Sequence, residues 1–135
     1  MAANENFSEK VSVNVNSTTL SQIDLLVDNG YYSNRSDFIN QALRDALCQQ
    51  QSNLDRVIQQ HARAAQRKRN PWFIGVFALT AEEVAAMQEG TVSGYGVLII
   101  DEEVDEEKLF AAVKSIRVKG KVVCSKAVKA HYGLK

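Results

Sequence analysis

The chain has 135 residues, of which 45% are apolar and 24% charged, with sixteen basic and sixteen acidic side chains. That length suits one ordinary domain or two very small ones, and the composition excludes wholesale disorder. A formal net charge of zero excludes a uniformly basic protein that coats nucleic acid, so any charge argument has to be local.

Apolar runs such as Val97 to Ile100 are far too short to span a membrane. Met1 to Glu9 show neither the basic start nor the apolar core of a secretory signal. Cys48 and Cys124 form no closely spaced pair, which argues against a disulfide framework and a cysteine zinc site. A reducing cytoplasm of bacterial or archaeal type is expected, with no membrane partner. Charge is unevenly placed: residues 1–50 carry a net −3, residues 51–70 a net +4 and residues 71–135 a net −1. The basic stretch ends at Asn70-Pro71, the only proline, where a helix cannot continue. Three segments are therefore expected: a domain over 1–50, a basic helical linker over 51–70 and a second domain over 71–135.

Val11, Val13 and Val15 alternate with polar residues, a period of two that predicts a half-buried strand. Ser17-Thr18-Thr19 supply capping groups for a helix whose face is Leu20, Ile23, Leu26 and Val27, and Asn29-Gly30 ends it. Asn34 is placed to cap a second helix, with Asp37 bonding back to it in a variant capping box. Phe38, Ile39, Ala42, Leu43, Ala46 and Leu47 form the apolar face of that helix.

One strand and two helices leave both strand edges open and too little core for a stable monomer. A homodimer solves both problems: two strands pair antiparallel, and Val11, Val13, Val15, Leu20, Ile23, Val27, Phe38, Ile39 and Leu43 form a shared core. The outer ribbon face then presents Lys10, Ser12 and Asn14 from each subunit.

Over roughly residues 8–48 this order resembles the ribbon-helix-helix family of DNA-binding proteins (the CopG, Arc and MetJ type). The resemblance rests on the Val-x-Val-x-Val strand, on Leu20-x-x-Ile23-Asp24-x-Leu26-Val27, on Gly30-x-Tyr32, and on Asn34-Arg35-Ser36-Asp37-Phe38-Ile39 with Ala42-Leu43. It implies that the paired strands enter the major groove of double-stranded DNA. Lys10, Ser12 and Asn14 would then contact bases, lysine reaching guanine O6/N7 and asparagine pairing with adenine N6/N7. It also implies a phosphate held at the start of the second helix, by Ser33, Asn34, Arg35 and Ser36.

From Leu43 the apolar positions continue through Leu47, Leu54, Val57, Ile58, Ala62 and Ala65. The second helix either runs on to about Asn70 or breaks near Ser52-Asn53, with Ser52 and Asp55 capping the restart. Arg63, Arg67, Lys68 and Arg69 are at least helix-end charges that suit the dipole, and they can also add phosphate contacts. His61 and His131 read as surface or packing residues, with no metal-ligand spacing around either.

The last segment repeats itself. Gly96-Val97-Leu98-Ile99-Ile100-Asp101 aligns with Gly120-Lys121-Val122-Val123-Cys124-Ser125, and more weakly with Gly75-Val76-Phe77-Ala78-Leu79-Thr80. Each unit reads as glycine, short buried strand, capping residue and helix, with helix starts at Thr80-x-x-Glu83 and Asp101-x-x-Val104. Such units stack, here with the strands side by side and parallel. Leu109, Phe110, Val113 and Ile116 predict one helical face. Gly90 to Gly96 is glycine-rich but lacks the lysine of a P-loop, so it reads as turns between units. The acidic stretch Asp101 to Glu107 reads as a helix start rather than a cation site.

The expected fold is therefore α+β: an intertwined ribbon-helix-helix dimer, a long helix, and a small C-terminal α/β domain of stacked strand-helix repeats. No catalytic set, cofactor or metal is expected. The expected function is sequence-specific DNA binding by a homodimeric transcriptional repressor. Residues 72–135 would drive higher assembly or bind a protein partner. Two alternatives stand beside it: an antitoxin that also binds its own promoter, and a structural oligomerisation protein that binds no DNA.

Overall fold

The computed structural model describes residues 7–134. The absence of a secretory signal is expected partly from residues 1–6, which lie outside the described residues, as does residue 135. The elements are α1 (Ser17–Asp28), α2 (Arg35–Gln49), α3 (Gln51–Lys68), β1 (Trp72–Leu79), α4 (Ala81–Ala86), β2 (Gly90–Ile100), α5 (Glu106–Ala112), β3 (Val113–Val123) and α6 (Lys126–Tyr132). The chain divides into two compact units, one of Ser8–Arg56 and the other built on residues 57–134. The division falls inside α3, whereas Asn70-Pro71 marks the change from helix to strand.

In the first unit, residues 7–16 carry no regular secondary structure. A strand is defined by the partner it pairs with, and the described residues offer this segment none, so the strand expected over Val11–Val15 is not formed. The cap of α1 is Asn16 rather than the expected Ser17 to Thr19: its side chain accepts the Thr18 amide at 2.8 Å. The helix ends as expected, with Gly30 at φ +84° and the Gly30 and Tyr31 amides donating to Val27 and Leu26. Asn34 caps α2 by accepting the Asp37 amide at 2.8 Å. Asp37 reaches back one residue further than expected and accepts the Ser33 amide at 2.9 Å.

The helical stretch is interrupted at Gln50 (φ −94°, ψ 6°), not at Ser52-Asn53. Both Ser52 and Asp55 lie inside α3, where Asp55 accepts from the Gln51 side chain at 2.9 Å.

The second unit is a three-stranded parallel sheet in the order β1-β2-β3. Four expectations about this unit need correction. The glycines do not precede the strands but lie within them, and Gly75, Gly96 and Gly120 pair in one row across the sheet. All three have positive φ. A Cβ on Gly96 would lie 2.0 Å from the Gly75 carbonyl oxygen, and one on Gly120 would lie 1.9 Å from that of Gly96. Gly96 and Gly120 are therefore glycine for want of space, Gly75 for its backbone angle alone, and the repeat in the sequence is a register mark.

Second, Gly90 to Gly96 is no turn but the first half of the central strand. Gly94 leaves the space into which Phe73 packs, since a Cβ there would lie 2.6 Å from the Phe73 ring. Third, Asp101 does not cap α5. It accepts the Glu103 amide at 3.1 Å in a turn, and Asp105 caps the helix through the Glu107 amide. Val113 and Ile116 belong to β3 rather than to a helical face, because pairing with β2 claims the chain from Val113 onward.

Thr80 and Ser125 cap α4 and α6 through the amides of Glu83 and Val128. With consecutive strand order and the usual right-handed crossovers, the connecting helices fall on one face of the sheet. The core lies there: Phe73, Leu79, Val92, Leu98, Val113, Ile116 and Val122 from the strands pack with Val84, Leu109 and Val128 from the helices. Tyr132 ties α6 down by donating to the Val113 carbonyl at 2.7 Å.

The opposite face is not covered in the same way. The register lines up Ile74, Tyr95 and Lys119 in one row, and Val76, Val97 and Lys121 in the next. Ile74 is 51% exposed and Val76 50%. Parallel sheets ordinarily bury both faces.

Candidate nucleic-acid interface

The polar residues expected to read bases, Lys10, Ser12 and Asn14, all lie exposed on the unpaired segment before α1. The valines between them are largely bare among the described residues: Val11 is 78% exposed and Val13 74%. Apolar and alternating, they form an exposed stripe on this segment. Behind them the expected core is only partly closed. Ile23 is buried, Leu20, Val27 and Phe38 are half-buried, and Ile39 and Leu43 are exposed. Tyr32 packs edge-on against Phe38 at 4.9 Å, which holds the α1–α2 turn.

The start of α2 brings together Ser33, Asn34, Arg35 and Ser36. The amides of Arg35 and Ser36, at the first two helical positions, have no carbonyl one turn back to accept them, so they are free for an anion. The Ser33 and Asp37 amides are instead occupied by the side chains of Asp37 and Asn34. Arg35 is not pointed freely into solvent. Its Nε and Nη2 donate to the two carboxylate oxygens of Asp24 on α1, at 2.8 and 2.9 Å. The bond from Arg35 holds the Asp24 carboxyl below the usual carboxylate range and raises the guanidinium in return. The pair is exposed, so its role is to orient Arg35 rather than to add much stability. Asp24 stands in the sequence as part of the α1 pattern, but nothing there marks it as the partner of Arg35. No spacing rule connects residues on separate helices.

Arg63, Arg67 and Lys68 lie exposed along α3, and Arg69 follows it with φ +55°. Lys68 borders a cleft with Trp72, Thr91 and Ser93. The same cleft includes Arg117, which no sequence motif singles out. It heads the series Arg117, Lys119, Lys121 on one face of β3. The signal, a basic residue at every second position, becomes legible once that stretch is known to be strand.

Both histidines act in packing. His61 stacks on Trp72 at 5.2 Å and 8°, and His131 on Phe110 at 3.8 Å and 14°. At the carboxyl ends of β2 and β3, burial raises the Cys124 thiol, and Ser125 donates to Glu106 at 3.0 Å. Among the described residues no group of three or more His, Cys, Asp or Glu is placed to hold a metal ion, and no helix is long and apolar enough to cross a membrane.

Residues 6–129 match the Ribbon-Helix-Helix transcriptional regulator family. That match takes in most of the chain, so the protein belongs to this family, whose members are typically transcriptional regulators rather than enzymes. The match extends well past residue 48 and includes the sheet unit, so the C-terminal repeats belong to the family pattern as well. Neither the comparison with curated proteins nor that with solved structures gave a match.

Proposed function

We propose that the protein is a homodimeric repressor that reads operator DNA through a two-stranded ribbon. Residues around Val11 to Val15 of two chains pair antiparallel, the valines turn inward onto α1 and α2, and Lys10, Ser12 and Asn14 enter the major groove. The free amides of Arg35 and Ser36, with Ser33 and Asn34 beside them, hold a backbone phosphate. The observation that carries this reading is the bare alternating valine face, with Val11 and Val13 each about three-quarters exposed. Antiparallel pairing with a second copy satisfies one edge of each strand and covers that apolar surface.

Residues 1–50 carry a net −3, so phosphate neutralisation by the ribbon unit is small and each dimer binds modestly. Linking dimers through residues 72–135 raises the effective affinity. A sheet unit with its own closed core also supports a preformed domain over an antitoxin tail that folds only on its toxin.

The test is binding of the full chain to its own promoter region and to random duplex across a salt series, with solution mass measured alongside. A dimer, or a multiple of it, with sequence-dependent affinity supports the proposal. In that setting Asn14→Ala relaxes sequence preference, and Lys10→Ala weakens binding. Absent binding by an intact dimer replaces the proposal with a purely structural role.

A further inference from the structure

We infer that the cleft between the last turns of α3 and the open face of the sheet is a phosphate-binding site. The cleft holds about 310 Å³ and is bordered by Lys68 from α3, by Trp72 on β1, by Thr91 and Ser93 on β2, and by Arg117 on β3. Two cations and several hydrogen-bonding groups converge there, and no carboxylate lines it. Among the described residues the only ion pair is that of Arg35 with Asp24, so no carboxylate of those residues lies within ion-pair distance of Lys68 or Arg117.

The neutral donors are held in place. The Asn70 side-chain oxygen accepts the Thr91 amide at 3.2 Å, which leaves the Asn70 NH₂ available to an anion. Thr91 Oγ1 and Ser115 Oγ are hydrogen-bonded at 2.8 Å, so the hydroxyl row is fixed across β2 and β3. The aromatic wall is fixed too, since His61 stacks on Trp72. A cationic pair flanked by oriented neutral donors matches a phosphate, which accepts charge-assisted hydrogen bonds from several sides.

Arg117 is also the first of three basic residues on one face of β3, with alternate side chains about 6.6 Å apart. Lysines on an edge strand can serve simply to block unwanted strand pairing. That accounts for Lys119 and Lys121. It does not account for Arg117 and Lys68 meeting in one concavity from different elements.

The inference is independent of the ribbon. The phosphate can come from a DNA backbone or from a free phosphate compound, and the chemistry of recognition is shared. Trp72 is the only tryptophan in the chain, so its emission reports on the cleft. The experiment titrates the full chain with pyrophosphate at low ionic strength, with chloride at matched ionic strength as control. The amide resonances of Thr91 and Ser93 are followed in parallel.

Pyrophosphate is expected to give a saturable change that chloride does not. Lys68→Gln and Arg117→Gln, both of exposed side chains, each weaken it about tenfold, the loss of one charge-assisted bond. Lys121→Gln leaves it nearly unchanged. No saturable response, or unchanged affinity in both cleft variants, overturns the inference.

A short random duplex then separates the sources. A response to duplex that Arg117→Gln removes and Asn14→Ala retains assigns the site to DNA backbone. A response to pyrophosphate without one to duplex assigns it to a small phosphorylated ligand.

Discussion

The two units bury very different amounts of apolar surface. The sheet unit gathers thirteen buried residues into one cluster, with Leu79, Val92, Leu98, Leu109 and Val113 wholly enclosed. In Ser8–Arg56 the only buried hydrophobic residue is Ile23, while three valines and the leucines at 43 and 47 stay open to solvent. Both stretches have the same kind of apolar patterning. The difference is where the partner surface comes from. In the sheet unit, helices that follow each strand in the same chain fold back to cover it. In Ser8–Arg56 the alternating valine segment comes first and has nothing to pair with among the described residues; in the proposed dimer a second chain supplies the partner. Patterning alone therefore predicts which side chains seek cover, but not whether one chain supplies it.

The comparison can be broken most sharply at the glycine row. Gly96→Val places side-chain atoms onto the Gly75 carbonyl, at a backbone angle that β-branched residues do not adopt. It is expected to destabilise the sheet unit by more than about 3 kcal/mol, seen as lost cooperative melting while the helical signal of α1 and α2 persists. Gly75→Ala, with open space around the added carbon, carries only the backbone strain of about 1–2 kcal/mol.

Next in size is Val13→Asn. It should weaken dimerisation by at least about tenfold, the effect of burying one unsatisfied polar group in the proposed ribbon core. Sedimentation and concentration-dependent melting check this. The sheet unit should keep its melting temperature, since Val13 is no part of its core. Equal loss in both units would mean that they do not fold independently.

Asn34→Ala removes the side-chain oxygen that accepts the Asp37 amide and should cost about 1 kcal/mol in the ribbon unit alone, measured by thermal unfolding. The smallest effect is electrostatic. Asp24 titrates below its ordinary value because Arg35 bonds to its charged form. Its contribution to stability is therefore present above the ordinary carboxylate range and fades as pH falls through the lowered value. A carbon-detected titration should find the Asp24 midpoint depressed, and Arg35→Ala should return it to the ordinary range.

Several features are legible in the amino-acid sequence, for reasons that are local. The caps at Asn34, Thr80 and Ser125 follow from side-chain chemistry within three residues. The glycine-led repeat points correctly to stacked parallel units, because equivalent positions in stacked units must solve the same steric problem. Other expectations fail where a long-range partner overrides the local pattern. Val113 and Ile116 have helical spacing after Leu109, but the edge of β2 takes them as strand. Gly90 to Gly96 looks like a turn, yet it is strand, and glycine is needed at Gly94 because Phe73 packs there.

Periodicity, capping and composition act over a few residues. They are enough to define the α+β class, the limits of α1 and the start of α2 to within a residue or two, the family to which the ribbon residues point, and the charge of each segment. They do not reach far enough to place the three glycines in one row, to hold Arg35 against Asp24, or to bring Lys68 and Arg117 to one cleft. Each of those joins groups far apart in the chain, and their meeting depends on strand register and helix packing that no local pattern encodes.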